Sequence, residues 1–392
     1  MSLRRLRDSS RHSTATAVNV AVGTYDGVVI RLKFEKQADG KVFFSKRSIN
    51  QTHSGCVKSM AFSATGKYLA TGGTDETISI YDMECEIDLG GLSQHGGSIT
   101  CLEFYEDSFL ISASDDGCIY LWKCVDSAAW ECLSQLKGHR STVNFLSIHP
   151  SGRLALSVGR DRTLRTWNLV TGKKAFVINL KRVSHCVKWT PKGNSFVAVH
   201  DTSIDIYSTE TGHIRHRIES EVRLTALCFP TEGMLALADD CGNITLYDCA
   251  TANKHATVKG HENRVKGLTV LDKHHMVSVS SDHEVKAWDV KELFCVCYMK
   301  LSVARPTCLA AATATVVAPK TAEETAETRV VATKPKSDKT KRLNRFISKR
   351  SVGIEQFLEL KRNKGKWVGT RWERRERRPG RCELQQCTSG CC

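Results

Sequence analysis

Six aromatic residues, Tyr81, Trp122, Trp167, Tyr207, Tyr247 and Trp288, follow one another at intervals of 41, 45, 40, 40 and 41 residues. A period near forty is what a four-stranded blade produces when it is repeated, because one blade cannot bury its own faces and must stack on neighbours. The period therefore predicts one repeat domain, an all-β propeller, where the 392-residue length alone would allow two or three ordinary domains.

Four of the units carry a polar set. They read His53, Thr71, Asp75, Tyr81; His95, Ser112, Asp116, Trp122; His139, Ser157, Asp161, Trp167; and His261, Ser278, Asp282, Trp288. In each, the hydroxyl stands four residues before the Asp, and the Asp six before the aromatic. Such a set can form a relay in which the Asp accepts from the imidazole, the imidazole meets the hydroxyl, and the hydroxyl meets the Trp ring N–H. Buried polar atoms need partners or cost about 1–3 kcal/mol each, so the relay should persist or decay as a group. Ser, His and Asp together also describe a hydrolase, but four copies in separate repeats argue for structure.

Two units lack the set. Aligned on Tyr207 and Tyr247, the hydroxyl position falls on Val197 and on Ala236, the latter with one residue inserted after Asp240. The segment from Val22 to Leu32 has Asp26 and a strand pattern but Leu32 at the aromatic position, and reads as the second half of a blade. Its first half is expected in Cys295 to Ala312. Six full units and a split one predict seven blades over 18–312, closed by strands from both termini so that no sheet edge stays open. Residues 1–17 and 313–392 then read as disordered basic ends.

Charge follows the same division. The chain holds 57 Lys and Arg against 42 Asp and Glu, a net charge of +15, and residues 319–392 supply 20 of the former against 9 of the latter. Clusters at Lys339, Lys341, Arg342, Lys349 and Arg350, and at Arg374, Arg375, Arg377 and Arg378, suit nuclear import or RNA phosphates; a merely solvated tail is the plainer reading. Ser351 could cap a short helix bearing Ile354, Phe357, Leu358 and Lys361 for a partner to dock on. On the propeller itself, Arg160 and Arg162 flank Asp161 and are candidate contacts for a partner or RNA.

Thirteen of the 17 cysteines lie inside the repeats at irregular spacing, which suits free thiols in a reducing compartment. Cys382, Cys387, Cys391 and Cys392 match no zinc spacing. The basic opening is not followed by an apolar run of the secretory kind, and no segment approaches the roughly 20 apolar residues of a membrane helix. Phosphate-binding, metallopeptidase and nucleophile-elbow motifs are absent, so the chain offers no catalytic residue, cofactor site or metal site.

Gly138-His139, Gly260-His261 and Trp288-Asp289, set in this frame, resemble the WD repeats. The run FLSIHPSGRLALSVGRDRTLRTWNLVTG from Phe145 to Gly172, with GGTDETISIYDM from Gly72 and HENRVK from His261, resembles the p21-activated kinase-interacting protein family. The resemblance covers residues 18 to about 312. It implies a non-enzymatic, nucleolar factor in large ribosomal subunit assembly and pre-rRNA processing that also binds and restrains a p21-activated kinase. Implied partners are pre-ribosomal proteins and rRNA, with a monomeric propeller and no membrane contact. An alternative is a substrate-receptor adaptor of a cullin-type ubiquitin ligase, whose Trp-Asp-x-Arg box is matched by Trp288-Asp289-Val290-Lys291; Lys in place of Arg loses bidentate bonding.

Overall fold

Every second residue of a strand points to the opposite face, and here the second strand of a blade is buried on both faces: Leu154–Gly159 and Tyr68–Gly73 are buried throughout. Such strands need neighbours on both sides. The computed structural model, which describes residues 17–37, 40–126, 129–302 and 305–312, supplies them by stacking seven four-stranded antiparallel sheets into a ring.

Blade two holds Val57–Phe62, Tyr68–Gly73, Ile78–Asp82 and Ile87–Leu92, and blade three Ile99–Tyr105, Phe109–Ser114, Cys118–Asp126 and Ala129–Lys137. Blade four holds Val143–Ile148, Leu154–Gly159, Thr163–Asn168 and Lys173–Asn179. Blade five holds Cys186–Trp189, Ser195–Val199, Ser203–Ser208 and Ile214–Glu219; blade six Leu224–Thr231, Met234–Asp239, Asn243–Asp248 and Lys254–Lys259; blade seven Val265–Val270, His275–Ser280, Glu284–Asp289 and Cys295–Lys300. Blade one is the shared one: Ala17–Thr24, Val28–Lys36 and Val42–Gln51 take Pro306–Ala311 as their innermost strand.

Closure by both termini is therefore present, but it is three strands plus one rather than two halves. Cys295–Lys300, expected to belong to the closing blade, is the outer strand of blade seven, and only Pro306–Ala311 crosses over, pairing Leu309 with Val22 and Ala311 with Val20. The C-terminal strand is held on its other side too, through the Thr307 hydroxyl and the Val57 carbonyl.

The apolar core is not one body. Seven clusters lie each between two consecutive blades: Val22, Ile30 and Leu32 meet Val277 and Val285 between blades one and seven, and Trp167 meets Ile111 and Leu121 between four and three. The outer strands alternate toward water, as Lys173–Asn179 does. At the centre the inner strands surround a channel of about 530 Å³ lined by Lys58, Glu103, Lys188 and Lys266 among others.

Hairpin lengths correct the alignment of the two units without relays. In blade four Ser157 pairs with Arg165, two residues before Trp167. The same place two residues before Tyr207 pairs with Ala198, and before Tyr247 with Leu237. The hydroxyl positions are thus Ala198 and Leu237, not Val197 and Ala236. Blade five turns one residue sooner, joining His200 to Ser203 across two residues, while blade six has the standard turn and no insertion: Cys241, not Asp240, takes the relay Asp's place.

Candidate functional site

The relays sit at one end of the ring, where the loop before each inner strand meets the turn between the second and third strands. In blade four His139 Nδ1 lies 3.0 Å from Asp161 Oδ2, His139 Nε2 lies 2.7 Å from Ser157 Oγ, and Trp167 Nε1 donates to Ser157 Oγ at 2.8 Å. Blades three and seven repeat this through Asp116, His95, Ser112 and Trp122, and through Asp282, His261, Ser278 and Trp288. The donor chemistry sets the tautomer. An indole N–H can only donate, so the Ser oxygen accepts it and sends its own hydrogen to Nε2, leaving Nδ1–H for the carboxylate.

Each Asp also fastens the backbone. Asp161 accepts the N–H groups of Arg140 and Thr163, Asp116 those of Gly96 and Cys118, and Asp282 those of Glu262 and Glu284. Burial lowers the pKa of His95, His139 and His261 against the pull of their carboxylates, so the rings are neutral at pH 7. Burial alone would raise Asp75, Asp116, Asp161 and Asp282, but the paired His, the backbone N–H groups and, at Asp161 and Asp75, the Thr163 and Thr77 hydroxyls outweigh it and all four are lowered.

Blade two departs. His53 reaches Asp75 at 3.0 Å and Thr71 at 2.9 Å, but the Tyr81 hydroxyl turns away and pairs with Thr52 at 2.8 Å. A phenol is shorter and aimed differently from an indole, so the relay ends at Thr71 and Tyr81 is not part of it.

Blade five has a polar cluster that the relay pattern gave no reason to expect. Asp205, 3% exposed, accepts from Arg217 Nε at 2.6 Å and lies 3.3 Å from His200 Nε2 and 3.4 Å from Arg182. Burial opposes its charge, yet the bonds from His200 and Arg217 hold its pKa down to about 2. The only sequence sign was an Asp inside an apolar strand, Ser203–Ser208, with arginines on either side.

The channel lining was likewise illegible beforehand. Its inner strands have free edges, and side chains of the preceding blade satisfy them: Ser59 accepts the Leu102 N–H, Glu103 the Ile148 N–H and Ser147 the Trp189 N–H. Burial drives Glu103 up to about 7, with Lys188 and the Ile148 N–H pulling the other way.

His261, Asp282 and Glu284 bring three ligand atoms within 4.8 Å of one another. Both ring nitrogens of His261 are already taken by Asp282 and Ser278, and Lys286 lies 2.9 Å from Glu284, so the cluster works as a relay rather than a cation site. Asp289 of the Trp-Asp-x-Arg-like box caps its own turn by accepting the N–H groups of Lys291 and Glu292. Arg160 and Arg162 are exposed in the turn that carries Asp161. The expected sites at Lys339, Lys341, Arg342, Lys349, Arg350, Arg374, Arg375, Arg377 and Arg378, and the proposed docking helix, lie outside the described residues.

The WD domain, G-beta repeat family matches residues 45–82, 88–123, 130–168 and 253–289, stretches that end on or just after Tyr81, Trp122, Trp167 and Trp288. These are the four units with a His, a hydroxyl and an Asp in register. The chain is 40% identical over 278 residues to p21-activated protein kinase-interacting protein 1-like of Xenopus laevis, covering 70% of this chain and 75% of that one. It is 42% identical over 261 residues to the Gallus gallus protein of the same name, covering 64% and 69%. To p21-activated protein kinase-interacting protein 1 of Homo sapiens it is 39% identical over 235 residues, 59% of each chain.

Proposed function

This chain belongs to the p21-activated protein kinase-interacting protein family of WD-repeat proteins, and from that premise we propose that it is a non-catalytic scaffold that binds and restrains a p21-activated kinase and serves large ribosomal subunit assembly in the nucleolus. The observation that carries the kinase half is 40% identity across three quarters of a relative named for that interaction. A ring whose turns are pinned by buried relays suits the role, since rigid loops lose little entropy on binding. Support for the ribosomal half comes from the family resemblance and from a strongly basic C-terminal segment able to meet RNA phosphates.

The test is to express the tagged chain in cells, locate it, sediment it on a gradient and probe it for kinase, beside a version ending at Ala318. Nucleolar signal, co-sedimentation with large-subunit precursors and kinase capture are expected, with targeting weakened by the truncation. Diffuse protein free of precursors and kinase would reject the reading, and capture of ubiquitin-ligase adaptor subunits would replace it with the cullin alternative.

A further inference from the structure

Blade four differs from the other relay blades at three places where the relay itself makes no demand. The residue after the relay His is Ser54, Gly96 and Glu262 in blades two, three and seven, but Arg140 in blade four. The residue before the relay Asp is Thr74, Asp115 and Ser281, but Arg160; the residue after it is Glu76, Gly117 and His283, but Arg162. Since Ser, Gly, Thr and Glu all serve the framework, three arginines in one blade answer to something outside it.

They are also held rigidly. Arg140 N–H donates to Asp161 at 3.1 Å, Arg160 N–H to the Thr142 carbonyl at 2.9 Å, and Leu180 N–H to the Arg162 carbonyl at 2.9 Å, tying three loops into one platform. Lys181 extends it. Arg162 has left-handed backbone with φ of 60°, as Glu76, Gly117 and His283 do at the same place in the other relay turns, and Lys181 has φ of 62°.

The charge on this platform is uncompensated. Asp161 beneath it already has the buried Arg165 at 3.6 Å and the His139 ring. Arg182, Arg223 and Arg264, on loops that lead into other blades, and Arg217, in the outer strand of blade five, are each committed to a carboxylate. Among the described residues, Arg140, Arg160, Arg162 and Lys181 are exposed and meet no carboxylate.

We propose that the Arg140, Arg160 and Arg162 platform of blade four, with Lys181, is a binding site for a phosphorylated serine or threonine in a partner peptide. Guanidinium groups on a fixed frame match a dianionic phosphate, whose three oxygens take charge-assisted bonds. The layout favours a single dianion over a nucleic-acid strand. The arginines without a carboxylate cluster at blade four, whereas Arg182, Arg223 and Arg264 on the same face are tied to carboxylates, and the flanking blades expose Asp115 and Glu221 there. An RNA backbone bears charge on every nucleotide and would have to lie across those carboxylates. The proposal does not depend on the kinase or ribosome reading.

The test uses the full chain and a triple variant that installs the blade-seven residues, Arg140→Glu, Arg160→Ser and Arg162→His, so that the relay beneath is preserved. Fluorescence polarisation measures both proteins against a labelled degenerate peptide pool centred on phosphoserine, its unphosphorylated twin, and a 20-nucleotide oligouridine. The basic C-terminal segment is common to both proteins, so the difference between them reports the platform. The phosphorylated pool is expected to bind the native chain at least tenfold more tightly than the variant, with the unphosphorylated pool indifferent and the RNA changed less than threefold. Equal binding of the phosphorylated pool by both proteins overturns the proposal, and an equally large loss for RNA assigns the platform to nucleic acid instead. Should the triple variant fail to fold, Arg162→Gly, which suits the left-handed backbone, decides alone: a loss of about threefold supports the site and no loss rejects it.

Discussion

Blades four and six have the same strand order and the same hairpin length, yet one carries a complete relay and the other none. Where blade four has Ser157, Asp161 and Trp167, blade six has Leu237, Cys241 and Tyr247, and Leu237 is 3% exposed. Its turn is held locally, by Asp239 accepting the N–H groups of Cys241 and Asn243. Blade five solves the same problem with Phe196 stacked on Tyr207 at 4.8 Å and with the Asp205 cluster. A blade is thus defined by apolar packing against its neighbours; the relay fastens the loops at one end of it.

If so, cutting a relay should loosen a blade without abolishing the ring. Asp161→Ala strands the His139 ring, two backbone N–H groups and the buried Arg165, and is expected to lower unfolding stability by about 1–3 kcal/mol in a denaturant titration. Cys241→Ala, at the matching turn of blade six, should change it by less than about 0.5 kcal/mol. Equal effects would erase the distinction between the two kinds of blade.

Acid should separate them next. Because His95, His139 and His261 are lowered in the folded state from an ordinary 6.5, folding stability is full above that value and is lost as pH falls below it. The lowered Asp116, Asp161 and Asp282 add a second loss below their ordinary 3.8. Hydrogen exchange at pH 7 and pH 5.5 should therefore find the turns of blades three, four and seven opening at the lower pH, with the blade six turn unchanged. Uniform opening would mean that the relays do not govern local stability.

In blade two the effect should be smaller than that of cutting a full relay. Tyr81→Phe removes only the bond to Thr52, a contact worth about 0.5–1.5 kcal/mol, and should leave exchange at the His53–Asp75 turn as it was. Loosening of that turn would show that Tyr81 belongs to the relay after all.

How much of this was legible beforehand depended on whether a feature was local. The relay geometry could be read in advance because its spacing is set within one hairpin and the loop before it. Register failed at Val197 because the turn of blade five is one residue shorter, and at Ala236 because Asp240, the neighbour of the true relay position Cys241, stands where an Asp was expected. Asp205 was missed because its partners Arg182 and Arg217 come from two other segments, so no fixed spacing announces them.

In the sequence alone, the period of the aromatics marked six blades, the recurring His, hydroxyl and Asp marked the relays, and the alternating strand from Val22 to Leu32 marked a seventh blade joined by both termini, since strands must stack to bury both faces. Only the tertiary structure decided that the closing blade takes three strands from one end and one from the other, which side chains cap the inner strand edges along the channel, and that three loops of blade four place uncompensated cations on one platform. Those features arise from contacts between segments far apart in the chain, where burial and hydrogen-bond pairing are settled by the closed ring and leave no periodic mark.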